Sequence, residues 1–241
     1  MSAVNIIGLG RVGKTLRLLH QNAGDSICAT ADCVIFSVPD DKLADAIAEY
    51  VANNQCLGKF MVHVSGVHGA EIMDLAAKEG ALTAALHPIM QFADLEPQSN
   101  ADNLQHSFVS CSAGVDAQQQ AATLVARWGA KIIVLDDDVD RYQYHLALSL
   151  TSNHVTGLMA WAHELLQPSL GAHSSQIIEQ MALRAVKLVD AENPLQSLTG
   201  PIARGDIKTI EHHLSCLDDE QRQRYQGLLL NLRALVEQRS E

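Results

Sequence analysis

At 241 residues, with 47% hydrophobic and 19% charged residues and no long run of either, the chain has the composition of a globular protein long enough for two domains. A formal charge of −11, from 17 basic against 28 acidic residues, opposes attraction to phosphate backbones and anionic lipid, and 4% aromatic residues are too few for a base-stacking surface. Neither nucleic acid nor a membrane is therefore an expected partner.

The five cysteines, at 28, 33, 56, 111 and 216, include no CxxC pair and read as reduced thiols, so no metal site is expected. The opening MSAVNIIGLG lacks a basic segment followed by a long apolar one, and nowhere do ~18 apolar residues run together. The expected location is the cytoplasm.

In chain order, strands are predicted at Ala3–Ile7, Cys33–Val38, Phe60–Val64, Leu82–Leu86, Phe108–Cys111 and Ile132–Leu135. Each is short and mostly apolar without alternation, as in strands buried on both faces of a mostly parallel sheet. Between them Val12–Gln21, Asp41–Tyr50, Ala70–Lys78 and Ala117–Trp128 read as covering helices, with apolar residues at helical spacing such as Leu43, Ile47 and Val51. Asp136-Asp137-Asp138 closes the last strand and sets the expected boundary between domains 1–136 and 137–241. Beyond it the pattern is helical: one long helix over Asp140–Leu166, then Ser174–Asp190, Asp206–Leu217 and Asp219–Gln238. Apolar positions extend around more than one face of these helices, which predicts a homodimer through the helical domain.

Gly8-Leu9-Gly10-Arg11-Val12-Gly13 follows the first strand directly and opens the first helix. In that context Gly8 permits the tight turn, Gly10 lets a pyrophosphate approach the backbone, and Gly13 lets the helix pack on the strand, while N–H groups at the helix start face the anion. Arg11 adds a positive charge beside them. The alternative is a turn shaped only for strand-to-helix packing. About 20 residues after such a turn a second strand should end in a residue that reads the ribose. Here Asn22–Ala31 is too short for a second strand and its helix, and Asp32 precedes a strand instead of ending one. Asp32 reads as a cap or turn residue, and the second βα unit as deleted, which would remove a wall from the adenosine side.

Val34-Ile35-Phe36-Ser37-Val38-Pro39-Asp40-Asp41 after GLGRVG resembles the cofactor-lining strand of the 6-phosphogluconate-dehydrogenase-like superfamily. His63-Val64-Ser65-Gly66, Leu86-His87-Pro88 and Leu198-Thr199-Gly200-Pro201-Ile202-Ala203-Arg204-Gly205-Asp206 narrow the resemblance to a bacterial Rossmann-like family with a C-terminal domain of unknown function. Pyrroline-5-carboxylate reductase and the deazaflavin-dependent NADP reductases are relatives. The resemblance implies an α/β fold, with a Rossmann-type sheet followed by an all-α domain of the 6-phosphogluconate-dehydrogenase C-terminal type. It also implies NAD or NADP as cofactor, with NADP favoured, and redox chemistry on a small molecule. One departure concerns the reaction. Hydroxyacid dehydrogenases of the superfamily carry Lys four residues before an Asn on the first long helix, and here Ser149 stands four before Asn153.

His145, Ser149 and Asn153 recur at i, i+4 and i+8 on that helix, so they share a stripe that either faces a cleft, for acid–base work, or forms a polar seam between helices. His87 before Pro88 reads as a strand-end residue at the ligand edge, or as a loop cap. Val38, Pro39 and Ser65 are the expected nicotinamide neighbours, with a simple turn as the alternative for Ser65. Arg204 lies beside a helix start that Asp206 caps, and there it meets a substrate anion or anchors its own loop. His212 and His213 point about 100° apart and read as surface residues. Together these features point to an NAD(P)-dependent oxidoreductase, the alternative being a cofactor-deficient protein that binds a small anion in a regulatory role.

Overall fold

The computed structural model describes residues 3–189 and 194–238. Strands β1 (Ala3–Ile7), β2 (Ser26–Ile27), β3 (Cys33–Phe36), β4 (Phe60–His63), β5 (Leu82–Ile89), β6 (Phe108–Ala113) and β7 (Lys131–Val134) form one sheet in the order β2-β1-β3-β4-β5-β6-β7. All neighbours are parallel except β5 and β6. The continuous apolar runs have a direct cause. In β3, Cys33 and Ile35 belong to one core cluster and Val34 and Phe36 to another, so both faces of the strand are sealed.

The first cluster packs under α1 (Arg11–Asn22), α4 (Pro97–Leu104) and α5 (Val115–Arg127), with Leu16, Leu104, Leu124 and Trp128 fully buried. The second packs under α2 (Asp40–Asn53) and α3 (Asp74–Lys78) through Leu43, Ile47 and Ala76. Helix α4 is absent from the sequence expectation because it is mostly polar. Pro97 opens it, and only Asn100, Ala101 and Leu104 are buried.

Where the second βα unit was expected to be missing, a stub of its strand survives. Strand β2 pairs only Ser26 with Ala3 and Ile27 with Val4, and the chain then runs to β3 with no helix between. Asp32 is exposed, and its carbonyl accepts a hydrogen bond from the Phe60 N–H at 2.8 Å, as suits a turn residue.

Two boundaries differ from the expectation. Strand β5 does not end at Leu86, because antiparallel pairing with β6 carries it through His87 opposite Ser110, Pro88 opposite Val109 and Ile89 opposite Phe108. The sheet unit also extends past residue 136, since the chain divides into compact units Met1–Val155 and Thr156–Glu241. The reason is α6 (Arg141–Ser149), which Asp140 caps by accepting from the Tyr142 and Gln143 N–H groups and which packs on β6. Arg141 Nη2 donates to Ser112 Oγ at 2.6 Å, and the Tyr144 and Ser110 hydroxyls are hydrogen-bonded at 2.9 Å.

The helical path from Arg141 continues through a π turn at Leu150–His154 into α7 (Val155–Leu170), beyond the expected end at Leu166 and with Pro168 in its last turn. The second unit also holds α8 (Ser174–Leu188), α9 (Pro201–Arg204), α10 (Ile207–Ser215) and α11 (Asp219–Gln238). The expected helix end at Asp190 lies outside the described residues. Thr199-Gly200-Pro201 to Asp206 has a local explanation. Gly200 (φ 95°) leads into Pro201 at the helix start, Gly205 (φ 67°) ends α9 in the left-handed conformation, and Asp206 caps α10 by accepting from the Thr209 N–H at 3.1 Å. No described helix is long and apolar enough to cross a membrane.

Candidate active site

The strand order reverses direction between β1 and β3, and ligands of open α/β sheets bind at the carboxyl ends of strands beside such a switch. The glycine turn lies there. Gly8 has φ 95°, and a side chain on it would meet the Ser37 carbonyl oxygen at 2.6 Å; one on Gly13 would run into the Gly8 carbonyl. Packing therefore accounts for both. Ser37 locks the turn by donating from its hydroxyl to the Gly8 carbonyl at 2.8 Å. Gly10 is different: nothing lies within 4 Å of where its side chain would stand, and no side chain caps α1. The turn thus offers open space and unpaired N–H groups at a helix start, the features that fit a pyrophosphate. Leu9 beside it is exposed, and Val12 packs on the first core cluster.

From Arg11 a cleft of about 410 Å³ runs within the sheet unit to His87 and His145. Ser149 and Asn153 line it too, with Gln91 from the segment after β5. The structure therefore brings Arg11, His87, His145, Ser149 and Asn153 together. The π turn helps to explain how. Eight residues of ideal α-helix carry a side chain about 80° past its starting direction. A π turn has more residues per turn and takes up part of that excess, so His145 and Asn153 both reach the cleft. Asn153 Oδ1 accepts from Gln91 Nε2 at 3.4 Å.

His87 is held on several sides. Its Nδ1 is hydrogen-bonded to the Tyr144 hydroxyl at 2.9 Å, the Tyr144 ring stands edge-on at 5.7 Å between centroids, and the His145 ring lies at 5.9 Å. Burial above all, and then the nearby His145 and Arg141, lower its pKa to about 4, so His87 is neutral at pH 7. Gly66 closes the base of the pair. A side chain there would meet His145 Cδ2 at 2.5 Å and His87 Nε2 at 2.8 Å, so glycine is what lets both rings approach this loop.

Neighbouring His63 is a structural residue. It is fully buried, its Nε2–H donates to the Gly69 carbonyl at 2.9 Å, and its Nδ1 accepts from the Ser65 N–H at 3.2 Å. Burial lowers its pKa to about 4 as well.

The other sequence candidates stand elsewhere. Val38 packs on the second core cluster, Pro39 is the exposed residue before α2, and the Ser65 hydroxyl accepts from the Val67 and His68 N–H groups at 3.3 Å, closing a turn. None of the three lines the cleft. Arg204 belongs to the helical unit, where it is exposed at the end of α9. His212 and His213 are exposed as expected, with His213 Nδ1 hydrogen-bonded to the Tyr225 hydroxyl at 2.8 Å. Among the described residues no group of three or more His, Cys, Asp or Glu is arranged to hold a metal ion. Tyr144 and Ser110, which are linked to His87 Nδ1, and the neighbouring pair Arg141 and Ser112 were not singled out in the sequence. Two signals exist: Arg141, Tyr144, His145 and Leu148 recur at i, i+3, i+4 and i+7, and Ser110 and Ser112 alternate with Val109 and Cys111 in β6.

The model of the family described as "Domain of unknown function (DUF2520)" matches residues 108–231, and that of a "Rossmann-like domain" matches residues 11–88. These are the two parts of the family read above from His63–Gly66, Leu86–Pro88 and Leu198–Asp206. No curated protein matches the sequence. Among solved structures, a candidate NADP oxidoreductase from Bacteroides fragilis is similar in fold, at 18% identity over 97% of this chain and 98% of that one, with a TM-score of 0.76. A Thermotoga maritima protein matches at 19% identity over 99% and 100% of the chains, with a TM-score of 0.68. A reductive aminase from Aspergillus terreus, solved with NADPH and ethyl levulinate, matches at 16% identity over 99% and 93%, with a TM-score of 0.65.

Proposed function

Since the chain belongs to the DUF2520 family and joins its C-terminal domain to a Rossmann-like sheet, we propose that it is an NAD(P)-dependent oxidoreductase acting on a small molecule. One observation carries the reading: Arg11, the residue that follows the open Gly10 at the start of α1, lines the same cleft as the histidine pair. The glycine turn and the start of α1 would hold the pyrophosphate, with Arg11 beside it. When bound, the nicotinamide supplies or takes a hydride. Around that transfer the residues of the chain have separate tasks. Neutral His87 and its neighbour His145 hydrogen-bond the reacting group, and Asn153, oriented by Gln91, turns an amide toward it. Ser149 lines the same wall without the charge a lysine would bring.

Solved neighbours carrying NADPH support NADP as the cofactor. Titration calorimetry with NAD, NADH, NADP and NADPH tests the reading; micromolar binding, ~8 kcal/mol, with the NADP pair tighter, is expected. Absence of binding by all four would sink it.

A specific observation favours a second reading. Because β2 pairs only Ala3 and Val4, the rest of that edge of β1, Asn5–Ile7, has no strand beside it, so the adenosine side is poorly walled. A cofactor-deficient protein holding a smaller anion at the glycine turn would retain everything else. Inorganic phosphate binding without any dinucleotide binding would select it. In either case the exposed Met181, Leu183, Val186 and Leu188 on α8 support assembly as a homodimer through the helical unit.

A further inference from the structure

The Tyr144 hydroxyl has one proton and two partners, His87 Nδ1 and Ser110 Oγ, each at 2.9 Å. Either partner could in principle receive that proton. Ser110 decides. It is fully buried on β6, directly opposite His87, and Tyr144 is its one side-chain hydrogen-bond partner among the described residues. If Tyr144 donated to Ser110, the serine's own proton would be buried without an acceptor, which folded proteins avoid. The arrangement that uses every proton runs the other way: Ser110 donates to Tyr144, and Tyr144 donates to His87 Nδ1.

Both ends of this chain support it. Burial raises the pKa of Tyr144, so its hydroxyl stays protonated and able to donate, and neutral His87 has a free Nδ1 lone pair to receive it. The ring's single proton then sits on Nε2. That nitrogen makes no hydrogen bond among the described residues, is not sealed from solvent, and belongs to a ring that lines the cleft. A side chain on Gly66 would stand 2.8 Å from it, and glycine supplies none.

We propose that Tyr144 is a positioning residue that fixes His87 as its Nε2–H tautomer, so that the ligand atom meeting His87 is a hydrogen-bond acceptor, a carbonyl oxygen, and not an amine N–H. This deepens the oxidoreductase reading and rests on it for the cleft being the ligand site. A neutral imidazole N–H stabilises negative charge developing on oxygen, whereas it opposes an ammonium or iminium N–H placed against it. The substrate class is accordingly a small ketone or aldehyde and its alcohol.

The test is the nitrogen-15 spectrum of the histidines in the full chain, with His87 assigned from a His87→Gln variant. Wild type is expected to show Nε2 bonded to hydrogen and Nδ1 with a lone pair. Ser110→Ala should keep that pattern, because Tyr144 can still donate, while Tyr144→Phe should lose it and give a tautomer mixture. A wild-type His87 protonated on Nδ1, or a pattern indifferent to Tyr144→Phe, overturns the proposal. Should Tyr144→Phe fail to fold, the wild-type spectrum alone still decides the tautomer. Added cyclohexanone, and not cyclohexylamine, should shift the Nε2–H signal. A shift with the amine alone, or with neither probe, overturns the acceptor assignment. These spectra need no cofactor, so failure here and failure of dinucleotide binding are separate outcomes.

Discussion

In the unit Met1–Val155 large apolar side chains are sealed on both faces of the sheet; Leu16, Phe36, Leu124 and Trp128 are among the fully buried ones. In Thr156–Glu241 few are: Ile210, Leu217 and Leu229 are buried, while Met181 is 64% and Val186 69% exposed. A sheet covered on two faces completes its core within one chain. A small set of helices with apolar residues on several faces does not, and its remaining apolar surface is available to a partner. The difference teaches that the first unit has a closed core and holds the cleft, whereas the second leaves large apolar side chains exposed.

The largest effect that would sharpen this contrast is in the sheet core. Trp128→Ala removes a fully buried ring whose Nε1–H donates to His20 Nε2 at 3.2 Å, and it should lower stability by about 3–5 kcal/mol in urea unfolding. A loss under about 1 kcal/mol would show that this core is not the load on which the unit rests.

Next comes acid. His63 is buried neutral, with its pKa held near 4 against an ordinary value of 6.5. Because the folded pKa is the lower one, the unfolded chain binds the extra proton first, so stability is full above pH 6.5 and falls as pH drops toward 4. The loss from His63 alone is on the order of 3 kcal/mol, and His87 adds to it in the same window. His20, bound to Asp25 Oδ2 at 2.8 Å, is lowered by its burial and acts in the same direction. Replacing His63 by Gln should flatten the urea midpoint between pH 6.5 and 4.5. An unchanged slope would remove His63 as its cause.

How far the sequence carried this picture depends on range. The strands and the glycine turn were legible because their signals are local: apolar runs, and glycines at Gly8 and Gly13 that the backbone itself requires. The long helix was legible as well, through Asp140 as cap and the apolar spacing that follows. Strand β5 was read short because His87-Pro88 looks like an ending, and only pairing with a strand from another part of the chain shows otherwise. For the same reason Tyr144 was missed: its role is set by Ser110 and His87, both distant in sequence. Val38, Pro39 and Ser65 were placed by resemblance, and the local turn around Ser65 uses its hydroxyl.

A smaller effect is expected from Gly66→Ala, which inserts one methyl group against the His87 and His145 rings. Overpacking should cost about 1–3 kcal/mol by thermal or urea unfolding, and displacement of the rings should weaken cleft ligands while leaving phosphate binding at the glycine turn intact. Equal loss at both places would mean that the glycine turn and the cleft are not separable.

The smallest effect on folding is expected in the helical unit, and it is the one that would break the comparison. Val186→Ala trims an exposed side chain, so in a monomer it should change stability by no more than about 0.5 kcal/mol. If a second copy covers α8, the same position behaves as a core residue: Val186→Glu places a charge in the covered face and should shift the mass measured by light scattering from dimer to monomer. The unfolding midpoint of the wild type should then rise with protein concentration, and that of Val186→Glu should not. A wild-type chain that is monomeric, with a midpoint independent of concentration, would leave the helical unit stable with its apolar face in water, and the contrast between the two units would no longer imply a partner.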